Sequence, residues 1–163
     1  MKEQGRISIL FVCTSNICRS PTAEVVFRAV AEKQNLRVRV DSAGTNDYHV
    51  GEPPDRRAIE HARRRGYDLS ALRARQVEQR DFEEFDLVLA MDREHLQFMD
   101  RICAPQQRHK LKLFLEVAGM READVPDPYY GGPQGFEHVL DVAQAASNGL
   151  ADHVRIHFLR ASS

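Results

Sequence analysis

The sequence predicts an α/β protein, a three-layer sandwich around a four-stranded parallel sheet. Three observations predict it. Ile7-Ser8-Ile9-Leu10-Phe11-Val12 is a short, almost wholly apolar run, as expected of a strand covered on both faces. Further strand-like runs alternate with segments whose apolar residues recur every three or four positions. The 163 residues, 42% hydrophobic and 29% charged, suffice for one soluble domain spanning 1–163 with a real core.

The elements follow in order. After the first strand, Pro21 suits the first turn of a helix with Ser20 as its cap. Ala23, Val26, Phe27, Val30 and Ala31 then make 21–34 an amphipathic helix. Arg37 to Ser42 alternates and reads as the second strand, and Ala43 to Gly51 as a loop. Pro53-Pro54-Asp55 opens a second helix carrying Ala58, Ile59 and Ala62. Phe85 to Met91 and Lys110 to Leu115 supply the third and fourth strands, with a helix near 92–100 between them. Ala118 to Gly132 is a polar loop, longer than most connections and therefore a functional candidate. A last helix covers roughly 134–160, with Phe136, Val139, Leu140, Ala143, Leu150 and Val154 on one stripe.

Charge and cysteine content exclude several classes. The formal charge of -1 lacks the basic excess of a nucleic-acid binder. The arginines at 56–57 and 63–65 are expected on a solvated helix face. Three cysteines, Cys13, Cys18 and Cys103, do not make a disulfide framework and are read as reactive or buried thiols. The apolar run at Ile7–Val12 is too short for a signal-peptide core or a membrane span. A cytoplasmic protein with no membrane partner is the expectation.

Chemistry concentrates where the first strand ends, in Cys13-Thr14-Ser15-Asn16-Ile17-Cys18-Arg19-Ser20-Pro21. A loop entering a helix offers unpaired N–H groups and the positive end of the helix dipole. Those groups stabilise a phosphate and, equally, a thiolate. Arg19 adds a planar donor pair matched to two phosphate oxygens. Ser20 can donate its hydroxyl in a hydrogen bond to the thiolate, or to the departing sulfur later. In parallel sheets ligands bind beyond the carboxyl ends of the strands, where this loop lies. A cysteine alone would be a buried thiol; Cys-x5-Arg-Ser-Pro between strand and helix indicates an anion-binding nucleophile.

Thiolate attack on a phosphomonoester expels an oxyanion that needs a proton, and a carboxyl group at the same sheet edge would supply it. Asp127, in Val125-Pro126-Asp127-Pro128-Tyr129-Tyr130-Gly131-Gly132, is the leading candidate, with Tyr129 and Tyr130 walling an aromatic leaving group. Pro128 keeps Asp127 out of helical geometry. Asp92 is read as a helix cap.

Together these residues resemble the low-molecular-weight protein tyrosine phosphatase family. The likeness runs from Ile7 to about Leu150 through four pieces: Phe-Val-Cys-x5-Arg-Ser-Pro at 11–21, Asp-Ser-Ala-Gly-Thr at 41–45, Ala-Arg-Gln at 74–76 and Asp-Pro-Tyr-Tyr-Gly at 127–131. The resemblance implies a flavodoxin-like fold and hydrolysis of phosphotyrosine through a cysteinyl phosphate, without metal or cofactor. Carried over, Cys13 is the nucleophile, Arg19 the phosphate clamp and Asp127 the general acid. Thr14, Ser15, Asn16, Ile17, Cys18 and Ser20 complete the phosphate loop, with Asn16 in an unusual backbone conformation. Ser42 supports the loop by hydrogen bonding, and Tyr48 lies against the substrate ring. Cys18 matches a cysteine that can form a reversible disulfide with the nucleophile.

Two positions depart from the family pattern. Ser15 replaces a usual glycine, and strain is expected there if its φ is positive. Leu72 replaces a histidine that orients the asparagine, so a less constrained Asn16 is expected.

Other functions fit the same residues less well. An arsenate reductase would relay a disulfide through two more cysteines, and only Cys103 lies beyond the loop. Phosphocysteine-forming sugar-phosphotransferase subunits have no need of Arg19 with Asp127. A phosphoarginine-selective branch tends to carry threonine where Ile17 stands, and the larger apolar residue favours an aryl phosphate. A weakly active phosphate-binding module would follow from strain at Ser15. The expected partner is a phosphotyrosine-containing protein, by resemblance a bacterial tyrosine kinase, and the expected assembly a monomer or a weak homodimer through Tyr129 and Tyr130.

Overall fold

Strand β1 (Ile7–Cys13) is buried at every residue and lies inside the sheet. The computed structural model describes residues 6–129 and 131–159. Among them, β1, β2 (Val38–Gly44), β3 (Leu87–Ala90) and β4 (Leu111–Leu113) form one parallel sheet in the order β2-β1-β3-β4. The strand alternation divides the core. Ile7, Ile9, Phe11 and Cys13 pack with α1 (Arg19–Lys33) and α6 (Pro133–Val154). Leu10 and Val12 face the opposite layer, which holds α3 (Gln79–Glu84) and α4 (Arg93–Ile102). Phe11 meets Phe114 and Phe27 edge-on, with ring centroids 5.0 and 6.1 Å away, a favoured aromatic geometry.

Parallel pairing in register from Ile7↔Val38 to Cys13↔Gly44 carries the strand ends to one edge. The expected second strand, 37–42, thus continues to Gly44, because pairing with β1 persists to Cys13. Helix α1 begins at Arg19, two residues before the expected start. Ser20 is therefore not its cap. Cys18 holds that position, and its carbonyl accepts from the Thr22 N–H (3.3 Å) and hydroxyl (2.7 Å). Asp55 does open α2 (Arg56–Arg63), accepting from the Arg57 N–H at 2.8 Å.

Three short elements went unforeseen: α3, a 3₁₀ turn at Pro105–Lys110, and α5 (Phe114–Val117). The last two confine β4 to Leu111–Leu113. The final helix is regular to Val154, and a π-helical turn covers Arg155–Leu159. The connection between Val117 and Pro133 carries no helix or strand among its described residues.

Candidate active site

The loop between Cys13 and Arg19 reverses direction at Asn16, whose φ is 61°. Asparagine tolerates this left-handed conformation because its short amide bonds locally. Here the amide, 3% exposed, is fully engaged. Its Nδ2 donates to Ser20 Oγ (2.8 Å) and Ser42 Oγ (2.9 Å), and its Oδ1 accepts from the Arg75 N–H (3.0 Å). Ser42 in turn donates to Glu24 Oε1 at 2.7 Å. Burial pushes the Glu24 carboxyl above its ordinary pKa, against the hydrogen bonds from Ser42 and Arg28.

Neither departing position disturbs the loop: the condition for strain at Ser15 is not met, and Asn16 is not less constrained. Ser15 is not in the left-handed region; among the described residues only Asn16 and Asn35 are non-glycine residues with positive φ. Its hydroxyl donates to Asn46 Oδ1 at 3.2 Å. Nor does Leu72 leave Asn16 loose, since a backbone N–H at Arg75 holds the amide oxygen. Gly44 forms the floor under the turn. A Cβ there would lie 2.8 Å from Thr14 O, 3.0 Å from Ser15 C and 3.1 Å from Asn16 N. The loop carbonyls are taken from outside: Thr45 N–H donates to Cys13 O, Asn46 N–H to Thr14 O and Asp55 N–H to Ile17 O.

Cys13 ends β1 with its Sγ 3.0 Å from Ser20 Oγ. Cys13, Cys18 and Cys103 are free and buried. Burial, reinforced by Asp55, pushes the Cys18 thiol far above its ordinary range. Cys103 packs at the end of α4 in the opposite core layer.

Arg19 is buried at 5% exposure and fixed from several sides. Its Nη1 donates to Asp92 Oδ2 (2.9 Å) and Val125 O (3.0 Å), and Nη2 to Thr14 Oγ1 (3.2 Å). Asp92 does cap α4, accepting from the His95 N–H at 3.0 Å, and its other oxygen holds Arg19. His95, from the same helical turn, places Nε2 2.8 Å from Thr14 Oγ1 and 3.3 Å from Arg19 Nη2. Burial, followed by the positive charge of Arg19, lowers its pKa to about 4, against the pull of Asp92, Asp127 and Asp124. The imidazole is neutral at pH 7.

Asp127 reaches the same place from the long connection. Its Oδ2 lies 3.7 Å from Arg19 Nη2, and its Oδ1 accepts from the Tyr129 N–H at 3.0 Å. Cys13, Arg19 and Asp127 line one open pocket of about 310 Å³. Thr14, Ser15, Ile17, Cys18, Tyr48 and Tyr129 line it too, with Tyr48 78% exposed at the rim. Tyr130 lies outside the described residues. Asn16, Ser20 and Ser42 sit behind the pocket as supports.

The sequence of this pocket is not solitary. A sequence model of the low molecular weight phosphotyrosine protein phosphatases matches residues 8–158. The chain is 47% identical over 155 residues to the low molecular weight protein-tyrosine-phosphatase of Streptomyces coelicolor, covering 90% of this chain and 93% of that one. It therefore belongs to the low molecular weight phosphotyrosine protein phosphatase family. The crystal structure of YfkJ from Bacillus subtilis superimposes with a TM-score of 0.88 at 36% identity, over 96% of this chain and 99% of that one. The YwlE arginine phosphatase, as a mutant with a phosphorylated active-site serine, gives 0.85 at 30% identity, over 94% and 99%.

As a member of this family the chain is a cysteine-dependent protein-tyrosine phosphatase, and its substrates are phosphotyrosine-containing proteins. No helix among the described residues is long and apolar enough to cross a membrane. Several residues of this phosphatase site escaped the sequence reading. Gly44 was visible only as part of the Asp41–Thr45 motif. Asn46 and His49 line the pocket from a stretch read as plain loop. His95 belongs to no sequence motif, and the arginines at 56–57 and 63–65 were expected on a solvated helix face. Arg65 of that same cluster is bonded to Glu137 and Asp141 of α6.

Proposed function

We propose that the phosphatase works by Cys13 attack, Arg19 clamping and Asp127 proton transfer. The observation that carries this reading is Arg19. Its guanidinium, locked by Asp92 and Val125 O, stands beside Thr14 of the loop and 3.7 Å from Asp127, in the pocket that Cys13 also lines. Thr45, Asn46 and Asp55 hold three of the loop carbonyls from outside, and N–H groups of a loop entering a helix are suited to donate to phosphate oxygens.

The Cys13 thiolate attacks phosphorus as the P–O bond to the tyrosyl oxygen breaks. The phenolate takes the proton of the Asp127 carboxyl and leaves as tyrosine. Ser20 donates a hydrogen bond from its hydroxyl to the thiolate before attack and to the sulfur as it departs in the second step. Water then gives a proton to the Asp127 carboxylate and attacks phosphorus. The S–P bond breaks, inorganic phosphate leaves and the thiolate returns. Arg19 stabilises the charge on the equatorial oxygens in both steps. Ile17, Tyr48 and Tyr129 supply an apolar wall suited to an aryl group.

A bacterial tyrosine kinase carrying phosphotyrosine is the proposed protein substrate, a cytoplasmic location the proposed setting, and a weakly self-associating monomer the proposed assembly. The experiment is Asp127→Ala assayed on two leaving groups. Phosphotyrosine should slow about 100-fold or more and p-nitrophenyl phosphate far less, since only the poorer leaving group needs the acid. Equal losses on both would exclude Asp127 as the acid. Phosphoarginine turnover above that of phosphotyrosine would exclude the aryl preference.

A further inference from the structure

The segment that carries Asp127 is held on both sides, by different devices. Upstream, Arg93 at the start of α4 grips Asp124 through its backbone N–H (3.0 Å) and guanidinium (3.1 Å), and the Val125 N–H donates to Met91 O (2.8 Å). Downstream, Arg57 at the start of α2 donates from Nη2 to Tyr129 O at 2.9 Å. Its guanidinium carbon also lies 5.3 Å from the Tyr129 ring centroid and 4.8 Å from that of Phe136. The aromatic pair and the carbonyl therefore fix Tyr129, whose N–H holds Asp127 Oδ1.

Arg57 is itself preset. Asp55 accepts its Nε at 3.1 Å and its Nη2 at 3.0 Å, a two-point grip that sets the plane of the guanidinium. The Asp55 N–H meanwhile donates to Ile17 O of the phosphate loop at 2.8 Å. One corner of the fold thus touches the phosphate loop with its backbone and the Asp127 segment with its side chain.

We propose that Arg57 is a positioning residue for catalysis, setting the Asp127 carboxyl over the leaving oxygen by tying Tyr129 to the Asp55–Ile17 corner. This rests on the assignment of Asp127 as the acid. A proton donor must come within about 2.6–3.2 Å of its acceptor. Displacement by about an ångström can cost on the order of 100-fold. Asp127 is 45% exposed and needs such external anchoring. An arginine that merely stabilised the start of α2 would affect folding, and would affect all substrates alike.

The test compares kcat/KM for phenyl phosphate and p-nitrophenyl phosphate in wild type, R57M, R57K, D127A and R57M/D127A. kcat/KM reports steps through formation of the cysteinyl phosphate, where the leaving group departs. R57M should lose about tenfold or more on phenyl phosphate and less than about twofold on p-nitrophenyl phosphate. Its inhibition by inorganic phosphate should stay within about twofold, since the phosphate loop is untouched. R57K keeps the cation but not the planar fork, and should show the same leaving-group selectivity to a smaller degree; it also serves if R57M does not fold. In R57M/D127A the Arg57 loss should vanish, because its target is gone. Equal losses of R57M or R57K on both substrates, or multiplying losses in the double variant, would overturn the role of Arg57 alone. A D127A variant blind to the leaving group would overturn the acid assignment, and this inference with it.

Discussion

Replacing Asn16 with alanine should loosen the phosphate loop and destabilise the protein together. The alanine would lose three hydrogen bonds, the buried ones to Ser20 and Ser42 and the part-buried one to the Arg75 N–H. At about 1 kcal/mol each these amount to about 3 kcal/mol. Alanine must also adopt the φ of 61°, adding about 1 kcal/mol. A total of about 4 kcal/mol is a large part of the roughly 5–15 kcal/mol typical of a domain. Asn16→Gly separates the contributions, since glycine accepts the conformation and loses only the amide. Urea unfolding at pH 7 reads the stability, and competitive inhibition by inorganic phosphate reads the loop. Both variants should bind phosphate about tenfold or more weakly, alanine being the less stable of the two. An Asn16→Ala protein within about 0.5 kcal/mol of wild type, with unchanged phosphate inhibition, would refute the claim that this amide holds the loop.

Other consequences follow from neighbouring residues. His95 stays neutral in the fold down to a pKa of about 4, against an ordinary 6.5. Between these values the unfolded chain binds the extra proton, so stability falls as pH drops from about 6.5 to 4, by on the order of 3 kcal/mol. His95→Asn should flatten that part of the stability–pH curve, and an unchanged slope in urea titrations would contradict the assignment. Gly44→Ala would press a methyl group onto the Thr14 carbonyl and the Asn16 nitrogen. It should raise the inhibition constant for phosphate at least about fivefold by shifting the loop, and retention of wild-type affinity would show that the loop can yield.

What was legible in the sequence was local. Strand, loop and helix around Cys13 lie within a few residues, and the apolar run and Pro21 marked them. The parallel sheet followed from the apolar Ile7–Val12 run and the alternation of strands with helices. Helix α3 was missed because its cap is built from Glu78 and Asp81, a pairing outside the usual serine or threonine pattern. The effects of Ser15 and Leu72 could be settled only by the fold. The conformational burden of the turn falls on Asn16, one residue along, and the replacement for a histidine donor is a backbone N–H, which residue identity does not reveal. Arg57 and His95 act on Tyr129 and Thr14, 72 and 81 positions away, so only the fold shows their partners. Asp92 is the cap its position suggests, yet its second oxygen serves Arg19 across a separation of 73.

The most direct test of the account is the site of covalent phosphate during turnover. Enzyme hydrolysing p-nitrophenyl phosphate is quenched rapidly, digested and mapped by mass spectrometry under conditions that spare S–P bonds. The account predicts phosphate on Cys13, and loss of turnover in Cys13→Ser. Phosphate on Cys18, or turnover at full rate with no phosphate on Cys13, would contradict it.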